Sequence, residues 1–284
     1  MPKTNDNPFT RFRVVKSTPR IGAEILDIDL SHVDDALFSE LHRAFLENQV
    51  LFFRDQKITR EQQRALASRF GNLHVHPAAP HLEEDQAAFI IHTHKESKIN
   101  NGGVWHTDVS CDREPPMATM LHLHVVPPLG GDTLFNSMYA AYEDLSDRMQ
   151  KFLSGLVAVH DGEQVYRGRY SDRGVDDSDT EYPKSEHPII RTHPETGRQS
   201  LYVNRIFTSH IKGMKPAESR ALLAFLYDHA EQPAFQMRFK WSQNDIAFWD
   251  NRCVQHLAVW DYWPHERKGI RYTIKGDQPF HREA

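Results

Sequence analysis

Ten short runs rich in β-branched and aromatic residues, each bounded by Gly, Pro, Asn or Asp, recur along the chain and are typical of β-strands. They cover residues 12–16, 23–28, 49–55, 87–92, 117–126, 188–193, 200–204, 235–241, 245–250 and 270–276. Amphipathic helices are predicted at 34–48, 59–70, 138–156 and 216–230, the second with the capping-box spacing of Thr59 and Gln62. Because no strand–helix–strand rhythm repeats, the predicted fold is mostly β with flanking helices, an antiparallel sandwich or barrel.

A chain of 284 residues is within the range of one large β domain, so a single domain over 1–284 is predicted. The stretch "HPETGRQ" (193–199) predicts a tight hairpin between two strands. Residues 162–186 are charged and nearly devoid of aliphatic side chains, and residues 94–104 are rich in Gly and Asn. We expect both segments to be mobile loops that can close on a substrate.

Composition excludes several classes of protein. Thirty-four basic and 39 acidic residues give a net charge of −5, and no long basic run indicates a nucleic-acid partner. No apolar segment is long enough for a signal peptide or a membrane span, which predicts a cytoplasmic protein without a membrane partner. Cys111 and Cys253 lie outside any C-x-x-C pattern and are expected to be reduced, buried thiols. No P-loop, G-x-G-x-x-G, G-x-S-x-G or H-E-x-x-H motif is present.

Histidine is unusually frequent, at 18 residues, and imidazole is the commonest metal ligand. In "VWHTDVS" (104–110), His106 and Asp108 stand two positions apart, so on an extended strand they project to the same face. Three H-x-H pairs compete on the same geometry: His74/His76, His92/His94 and His122/His124. The last pair is predicted to be buried and hydrogen-bonded on a central strand, and His92 and His94 to be structural or rim residues.

Two imidazoles and one carboxylate on one side of an octahedron form the facial triad of non-heme Fe(II) oxygenases. His256 follows the predicted strand 245–250 and is the candidate for the second imidazole. Arg267 and Arg271 stand four positions apart, so a strand that begins by Arg267 places both guanidiniums on one face. Two guanidiniums that face a cavity require two anionic groups.

Five segments in order, "WHTDV", "PLGGDTLF", "RTHPETGRQSLYVN", "NDIAFWDNRCVQHLAVWDY" and "YTIKGDQPF", resemble the taurine/2-oxoglutarate dioxygenase family of Fe(II) enzymes. The resemblance extends from about residue 12 to the C-terminus. It implies a double-stranded β-helix, or jelly roll, with Fe(II) held by His106, Asp108 and His256. It also implies that Thr133 and Arg267 bind the distal carboxylate of 2-oxoglutarate, and that O2 is the second co-substrate.

The same resemblance implies a second anion site. In the family's taurine-specific members, the positions that match Arg271, His76 and the backbone amide of Val109 hold the sulfonate, and His76 can be protonated if it contacts that anion away from solvent. Phe207 matches an aromatic wall of the substrate site, and Tyr166 stands where taurine enzymes carry phenylalanine. Gly102 and Ala79 replace an asparagine and a tyrosine that shape the amine end.

The expected substrate is therefore a small anion, with taurine or a related alkylsulfonate as the leading class. Loss of the two amine-shaping side chains also allows an alkyl sulfate or an aryloxyalkanoate. Relatives in the family form dimers or tetramers, so a homo-oligomer is compatible with the resemblance. Two other classes remain open: a zinc or other metal-dependent cupin-like enzyme that uses an H-x-H pair, and a non-catalytic binding protein that retains the fold.

Overall fold

The computed structural model describes residues 8–80, 82–171 and 174–283. Its strands are β1 (Arg13–Lys16), β2 (Ala23–Leu26), β3 (Val50–Phe53), β4 (Phe89–Thr93), β5 (Ala118–Val125), β6 (Thr133–Ser137), β7 (Val157–Asp161), β8 (Lys184–Pro188), β9 (Ile190–Thr192), β10 (Gln199–Leu201), β11 (Thr208–Ile211), β12 (Gln236–Phe239), β13 (Ile246–Asp250), β14 (Val254–Ala258) and β15 (Arg267–Ile274). Its α-helices are α1 (Asp35–Asn48), α2 (Arg60–Phe70), α3 (Met138–Glu143), α4 (Asp147–Leu153), α5 (Glu163–Tyr166) and α6 (Pro216–Ala230). A short 3-10 helix covers Pro233–Phe235.

The largest sheet has seven strands in the order β1-β2-β3-β13-β5-β15-β4. Its pairs are antiparallel except for β2 and β3, which run parallel. The central strands β13, β5 and β15 are distant in sequence, so this sheet is built from contacts between the middle and the end of the chain. The mostly β class with flanking helices is therefore confirmed.

A three-stranded antiparallel sheet, β12-β6-β14, packs on one face of the seven-stranded sheet. One buried apolar cluster takes Phe52 and Trp249 from the larger sheet and Phe135 and Val254 from the smaller one. The rings of Phe52 and Phe135 meet edge to face, with their centroids 5.5 Å apart. The shared core brings β14, which carries His256, opposite β15, which carries the two arginines.

Helices α1 and α2 cover the other face of the seven-stranded sheet. Phe45 of α1 stacks on Phe248 of β13, with ring centroids 4.3 Å apart, and Phe70 of α2 packs on the same ring. Helix α2 begins as predicted: the Thr59 hydroxyl accepts from the Gln62 amide, and the Gln62 side chain returns to the Thr59 amide. None of the described helices combines the length and apolar character needed to cross a membrane.

The remaining strands form a three-stranded sheet, β11-β7-β8, and the hairpin β9-β10. The predicted hairpin at 193–199 is confirmed, since Gln199 pairs with Thr192 and the His193 amide donates to the Arg198 carbonyl. Helices α3 and α6 share a buried cluster with these strands, including Leu201 and Leu226. Cys111 and Cys253 are buried free thiols, as expected.

Three predictions at the level of elements are wrong. The helix expected over 138–156 is two helices, because Ser146 caps a new helix by accepting from the Met149 amide. The loop expected over 162–186 contains α5 and the beginning of β8, and its residues 172–173 lie outside the described part of the chain. Five strands fall outside the predicted runs or barely overlap them: β6, β7, β8, β11 and β14.

The pair His122 and His124 differs from expectation. His122 lies on central β5 and is 2 % exposed, yet neither ring nitrogen has a partner of good hydrogen-bond geometry among the described residues. His124 is half-buried, and the two ring centroids are 4.2 Å apart. Burial lowers the pKa of His122 to about 4, and the neighbouring His124 adds to that shift. Burial therefore keeps His122 neutral, and its polar contact with the Gln56 backbone only partly offsets that effect.

We predict that His122→Leu removes an acid-sensitive element of the fold. Between pH 6.5 and 4 the unfolded chain binds a proton at His122 that the folded chain does not, so folded stability falls as the pH falls. Through His122 the wild type should lose about 2 kcal/mol of folding stability between pH 7.5 and pH 5, and the leucine variant should not show that loss. Urea unfolding at both pH values measures this, with the exposed His210→Leu as a control. If the free energy of unfolding changes between the two pH values by the same amount in His122→Leu as in the wild type, the prediction is contradicted.

Candidate active site

His106 and His256 are cross-strand neighbours. An isolated antiparallel bridge joins them: the His106 amide donates to the His256 carbonyl at 3.1 Å, and the His256 amide donates back at 2.9 Å. Residues that face each other in this way have adjacent side chains, and the two ring centroids are 4.1 Å apart. Backbone pairing therefore brings together two imidazoles that are 150 residues apart in sequence.

Asp108 completes the group in the turn that follows His106. One ligand atom from each of His106, Asp108 and His256 lies within 4.8 Å of the other two, and all three side chains are buried. The Asp108 carboxylate accepts from the Thr119 hydroxyl and from Arg271 Nη1, each at 2.7 Å. The predicted triad is thus one compact cluster with the donor set of a facial Fe(II) site.

The protonation states of the cluster suit a cation. Burial lowers the pKa of both imidazoles, so both are neutral at physiological pH. Burial opposes ionisation of Asp108, but the charge of the neighbouring Arg271 guanidinium outweighs that effect and holds the pKa of the carboxyl well below the usual value. His106 Nδ1 lies 2.8 Å from the Val104 carbonyl, so Nδ1 carries the proton and Nε2 keeps its lone pair for a metal.

One other group of potential ligands occurs among the described residues: His193, Asp250 and Cys253. The carboxylate of this group, Asp250, already pairs with Arg252. The Nε and Nη2 atoms of Arg252 lie 2.8 and 2.7 Å from the two Asp250 oxygens. His193 Nδ1 accepts from two backbone amides of the hairpin, and Nε2 lies 3.0 Å from Asp250. This cluster is a satisfied ion-pair network, so it offers no free donor set for a metal.

The rival H-x-H pairs do not form three-ligand clusters within the described chain. His74 Nε2 lies 2.7 Å from an Asp112 oxygen, and His92 Nε2 lies 2.8 Å from a Glu266 oxygen. Each of these two histidines therefore forms a pair with one carboxylate and does not belong to a group of three metal ligands. The remaining pair lies on the helix-covered side of β5, away from the cavity described next.

A cavity of about 970 Å³ opens beside the triad. All ten residues singled out from the sequence line it: His76, His106, Asp108, Val109, Thr133, Tyr166, Phe207, His256, Arg267 and Arg271. The volume lies at the upper end of the roughly 300–1,000 Å³ typical of pockets for drug-sized ligands. The geometry therefore offers one continuous space that connects the candidate metal site with two arginines.

Arg267 is the first residue of β15 and is 4 % exposed. Its Nε donates to the Gly131 carbonyl, while Nη2 has no partner among the described residues. Burial lowers the pKa of this guanidinium, as expected for a cation that lacks a carboxylate. Thr133 Oγ1 accepts from the Trp241 indole at 3.0 Å, which leaves the threonine O–H available to donate. An anion bound here would satisfy both groups.

Arg271 lies four residues further along β15, and it already has an anionic partner within the chain. Its Nη1 pairs with Asp108, its Nε has no partner among the described residues, and its guanidinium lies over Phe89. Asp108 therefore supplies, within the chain, one of the two anionic groups that the paired arginines require. A cation bound to Asp108 would share the charge of that carboxylate and leave Arg271 free to bind a substrate.

His76 and Val109 flank the same part of the cavity. His76 Nδ1 accepts from the Ala78 and Ala79 amides at 3.1 and 3.0 Å, so Nε2 is the ring atom that can donate to a ligand. Val109 has a φ of +45°, a left-handed conformation that β-branched residues rarely adopt and that concentrates at functional sites.

Tyr166 and Phe207 form an aromatic wall, with ring centroids 5.7 Å apart and both side chains buried. Ala79 belongs to the same cluster. Gly102 has a φ of +88°, and a Cβ there would lie 3.2 Å from His106 Cε1. Any side chain at position 102 would therefore crowd a triad histidine, whereas glycine leaves that space open.

Sequence reasoning missed three side chains that bear on the site: Thr119, Trp241 and Arg169. Thr119 and Trp241 act through the bonds described above, and Arg169 lines the cavity. Alternation along β5 places Thr119 on the face opposite Met120, so the period of the strand was an available signal for this residue. Nothing in the local sequence marks the other two.

Comparisons with known proteins place this site in an enzyme class, the Fe(II)- and 2-oxoglutarate-dependent dioxygenases. The chain belongs to the taurine catabolism dioxygenase TauD, TfdA family, whose sequence model matches residues 13–273. The enzyme is therefore a dioxygenase of that class, with Fe(II) as cofactor and 2-oxoglutarate and O2 as co-substrates.

Among relatives, a Schizosaccharomyces pombe protein provisionally assigned as an alpha-ketoglutarate-dependent sulfonate dioxygenase is 38% identical, over 92% of this chain and 68% of its own. An alkylsulfatase of Acinetobacter baylyi is 34% identical, over 95% and 87%. The crystal structure of a taurine dioxygenase from Burkholderia xenovorans superposes with a TM-score of 0.82 at 34% identity, over 95% and 93% of the two chains.

We predict that His256→Ala lowers the affinity for Fe(II) by more than about 100-fold, because loss of a direct ligand exceeds the 10- to 100-fold effect typical of groups that orient one. Anaerobic equilibrium dialysis measures the bound iron. His124→Ala serves as the matched control, since it removes an imidazole from a rival pair, and it should bind iron like the wild type. Loss of iron in His124→Ala but not in His256→Ala would mean that the metal binds at the His122/His124 pair, and would contradict the prediction.

Proposed function

We propose that the protein is a single-domain jelly-roll enzyme that hydroxylates a small anionic substrate, most readily taurine or a related alkylsulfonate. The mostly antiparallel seven-stranded sheet and the antiparallel three-stranded sheet share one core, which supports the jelly roll. The observation that carries the substrate class is the placement of two buried arginines of β15 in one cavity with the triad. One guanidinium suits the co-substrate, and the other suits the substrate anion.

In this proposal His106, Asp108 and His256 hold Fe(II), which supplies the activation of O2 once 2-oxoglutarate is bound. Arg267 and Thr133 bind the distal carboxylate of the co-substrate. Arginine fits this task because its planar fork donates two parallel N–H bonds to a carboxylate, which lysine cannot reproduce. Burial strengthens these bonds because the low local dielectric screens them little.

The substrate sulfonate is held by Arg271, His76 Nε2–H and the backbone amide of Val109. Tyr166 and Phe207 pack on its carbon chain and exclude water. The balance of the reaction is fixed by the co-substrates: 2-oxoglutarate loses CO2 and becomes succinate, one oxygen atom of O2 enters succinate and the other enters a substrate C–H bond. Hydroxylation next to sulfur gives an unstable adduct that collapses to an aldehyde and sulfite.

A second substrate class is favoured by the shape of the cavity. Gly102 and Ala79 add no bulk, and neither side chain has a polar atom to bond an amine, so discrimination for taurine's amino group should be weak. An alkyl sulfate, which carries the same anionic head on a longer apolar chain, fits this space with identical chemistry. An aryloxyalkanoate is the third candidate, with a carboxylate in place of the sulfonate.

A substrate panel tests the proposed function. Purified enzyme with Fe(II), ascorbate, 2-oxoglutarate and O2 is given taurine, alkylsulfonates, alkyl sulfates or aryloxyalkanoates, and succinate and sulfite or sulfate are measured. We expect stoichiometric sulfite release from an alkylsulfonate. Turnover of aryl ethers without turnover of any sulfonate or sulfate would overturn the substrate class, and activity with zinc and no keto acid would favour the cupin-like alternative.

We predict that substitution of Arg267 and substitution of Arg271 change different kinetic constants. Arg267→Gln should raise the apparent KM for 2-oxoglutarate by about tenfold or more, since a charged hydrogen-bonding partner is lost. Arg271→Gln should raise the KM for the sulfonate and release succinate without matching sulfite. Steady-state kinetics with each co-substrate varied measures both effects. Because Arg271 also contacts Asp108, the iron content of each variant is measured, and the reverse pattern would mean that the roles are exchanged.

A further inference from the structure

The cavity is strongly cationic. Five lysine and arginine side chains line it: Lys98, Arg169, Arg205, Arg267 and Arg271. Asp108 is the one acidic side chain among the described lining residues. Such a surplus of positive charge beside low-dielectric walls attracts and holds anions.

The charge of Arg205 is already neutralised. Its Nη2 lies 2.8 Å from an Asp228 oxygen, and its Nε lies 2.5 Å from a Glu231 oxygen. In the proposed function the two charges of Fe(II) and those of 2-oxoglutarate cancel. Asp108 and the substrate sulfonate then offset two of the four remaining cations. Two positive charges of the cavity are left without an anion.

Arg169 is the more enclosed of the cations that the reaction does not use. It follows α5 and is half-buried, whereas Lys98 is exposed. Its described partners are neutral: Nη2 donates to the Asn100 carbonyl at 2.9 Å and to Asn101 Oδ1 at 3.1 Å. Nε contacts the same Asn101 oxygen at 3.3 Å, and Nη1 bonds to no described acceptor.

The contacts of Arg169 connect it to a loop that also reaches the triad. Asn100 is anchored by its side-chain donor to the Ala258 carbonyl at the end of β14, and the Ala258 amide donates to the Gly102 carbonyl. Gly102 packs against the His106 ring. The short loop 100–102 therefore contacts both a triad histidine and the Arg169 guanidinium, and both groups line the same cavity, so a chain-like substrate can contact both.

We infer that Arg169 is a specificity residue that binds a second anionic group, a carboxylate at the end of the substrate away from the iron. The preferred substrates are then dianions that carry a sulfonate or sulfate head near Arg271 and a terminal carboxylate near Arg169, with Lys98 adding to the field. This inference rests on the proposed function and refines it. The size of the cavity supports it, because a small monoanion fills little of about 970 Å³.

Arg169 can instead be a purely structural clasp between the segment after α5 and the loop that contains Asn100. The two roles differ in one respect. A clasp stabilises the site for every substrate alike, whereas an anion-binding residue acts only on substrates with the second charge. The test therefore compares matched substrates, and does not depend on activity with any single one.

The experiment uses the full-length enzyme with Fe(II) and 2-oxoglutarate. The substrates are alkylsulfonates of increasing length, each paired with the ω-carboxyalkylsulfonate of the same length. Steady-state kcat/KM is measured for the wild type, Arg169→Gln, Arg169→Lys and the control Arg198→Gln, which removes one exposed positive charge away from the cavity. Anaerobic calorimetric titration gives the dissociation constant of each substrate without turnover.

We expect the wild type to favour the dianion of at least one length by about tenfold in kcat/KM and in affinity, as for a charge-assisted bond. Arg169→Gln should abolish that preference and leave the monoanions unchanged, Arg169→Lys should keep part of it, and Arg198→Gln should match the wild type. Equal losses for both members of each pair in Arg169→Gln, or no wild-type preference at any length, would overturn the inference alone. Failure of every sulfonate to bind or react would overturn the proposed substrate class, and the inference with it.

Discussion

The site depends on a two-bond backbone bridge between His106 and His256. This pairing fixes where the two imidazoles stand, because it belongs to the backbone and does not rely on the side chains to find each other. The packing of the two sheets behind it, through Phe135 and Trp249, holds β14 in register. Asp108 then needs only to follow His106 by two residues to complete the cluster. The geometry of the iron site is thus largely a property of strand pairing.

The part of the site that follows from local periodicity could be predicted from the sequence. A period of two places Arg267 and Arg271 on one side of β15, which begins at Arg267 as that argument required. The side chains of His106 and Asp108 do meet, but Asp108 lies in a turn and not on the extended strand that the period assumed. The assignment of His256, Thr133 and the substrate residues came from resemblance to a family, since no local rule links positions so far apart in the chain. The structure gathers all ten around one cavity, while their individual roles stay proposals.

Contacts between residues that are far apart in the chain could not be predicted from the sequence. The pairing of Arg271 with Asp108 joins positions 163 apart and supplies an anion that the spacing of the two arginines did not reveal. The two backbone amides that donate to His76 Nδ1 are likewise not revealed as donors by the local sequence. The break between α3 and α4 did have a local signal, because Ser146 is a good cap, but the apolar pattern continues across it. Short strands such as β6 and β14 are defined by their neighbours more than by their own composition.

The ion pair between Arg271 and Asp108 also bears on how the enzyme acquires its metal. In the absence of iron, the guanidinium supplies a positive charge to the carboxylate, so the apoprotein avoids a cluster of mutually repelling or unsolvated ligands. Folding and metallation can then be separate events, unlike in small zinc domains that unfold when the metal is withdrawn. A chelated preparation should consequently keep its shape and regain its iron on simple addition, with the arginine changing partners as the ion enters.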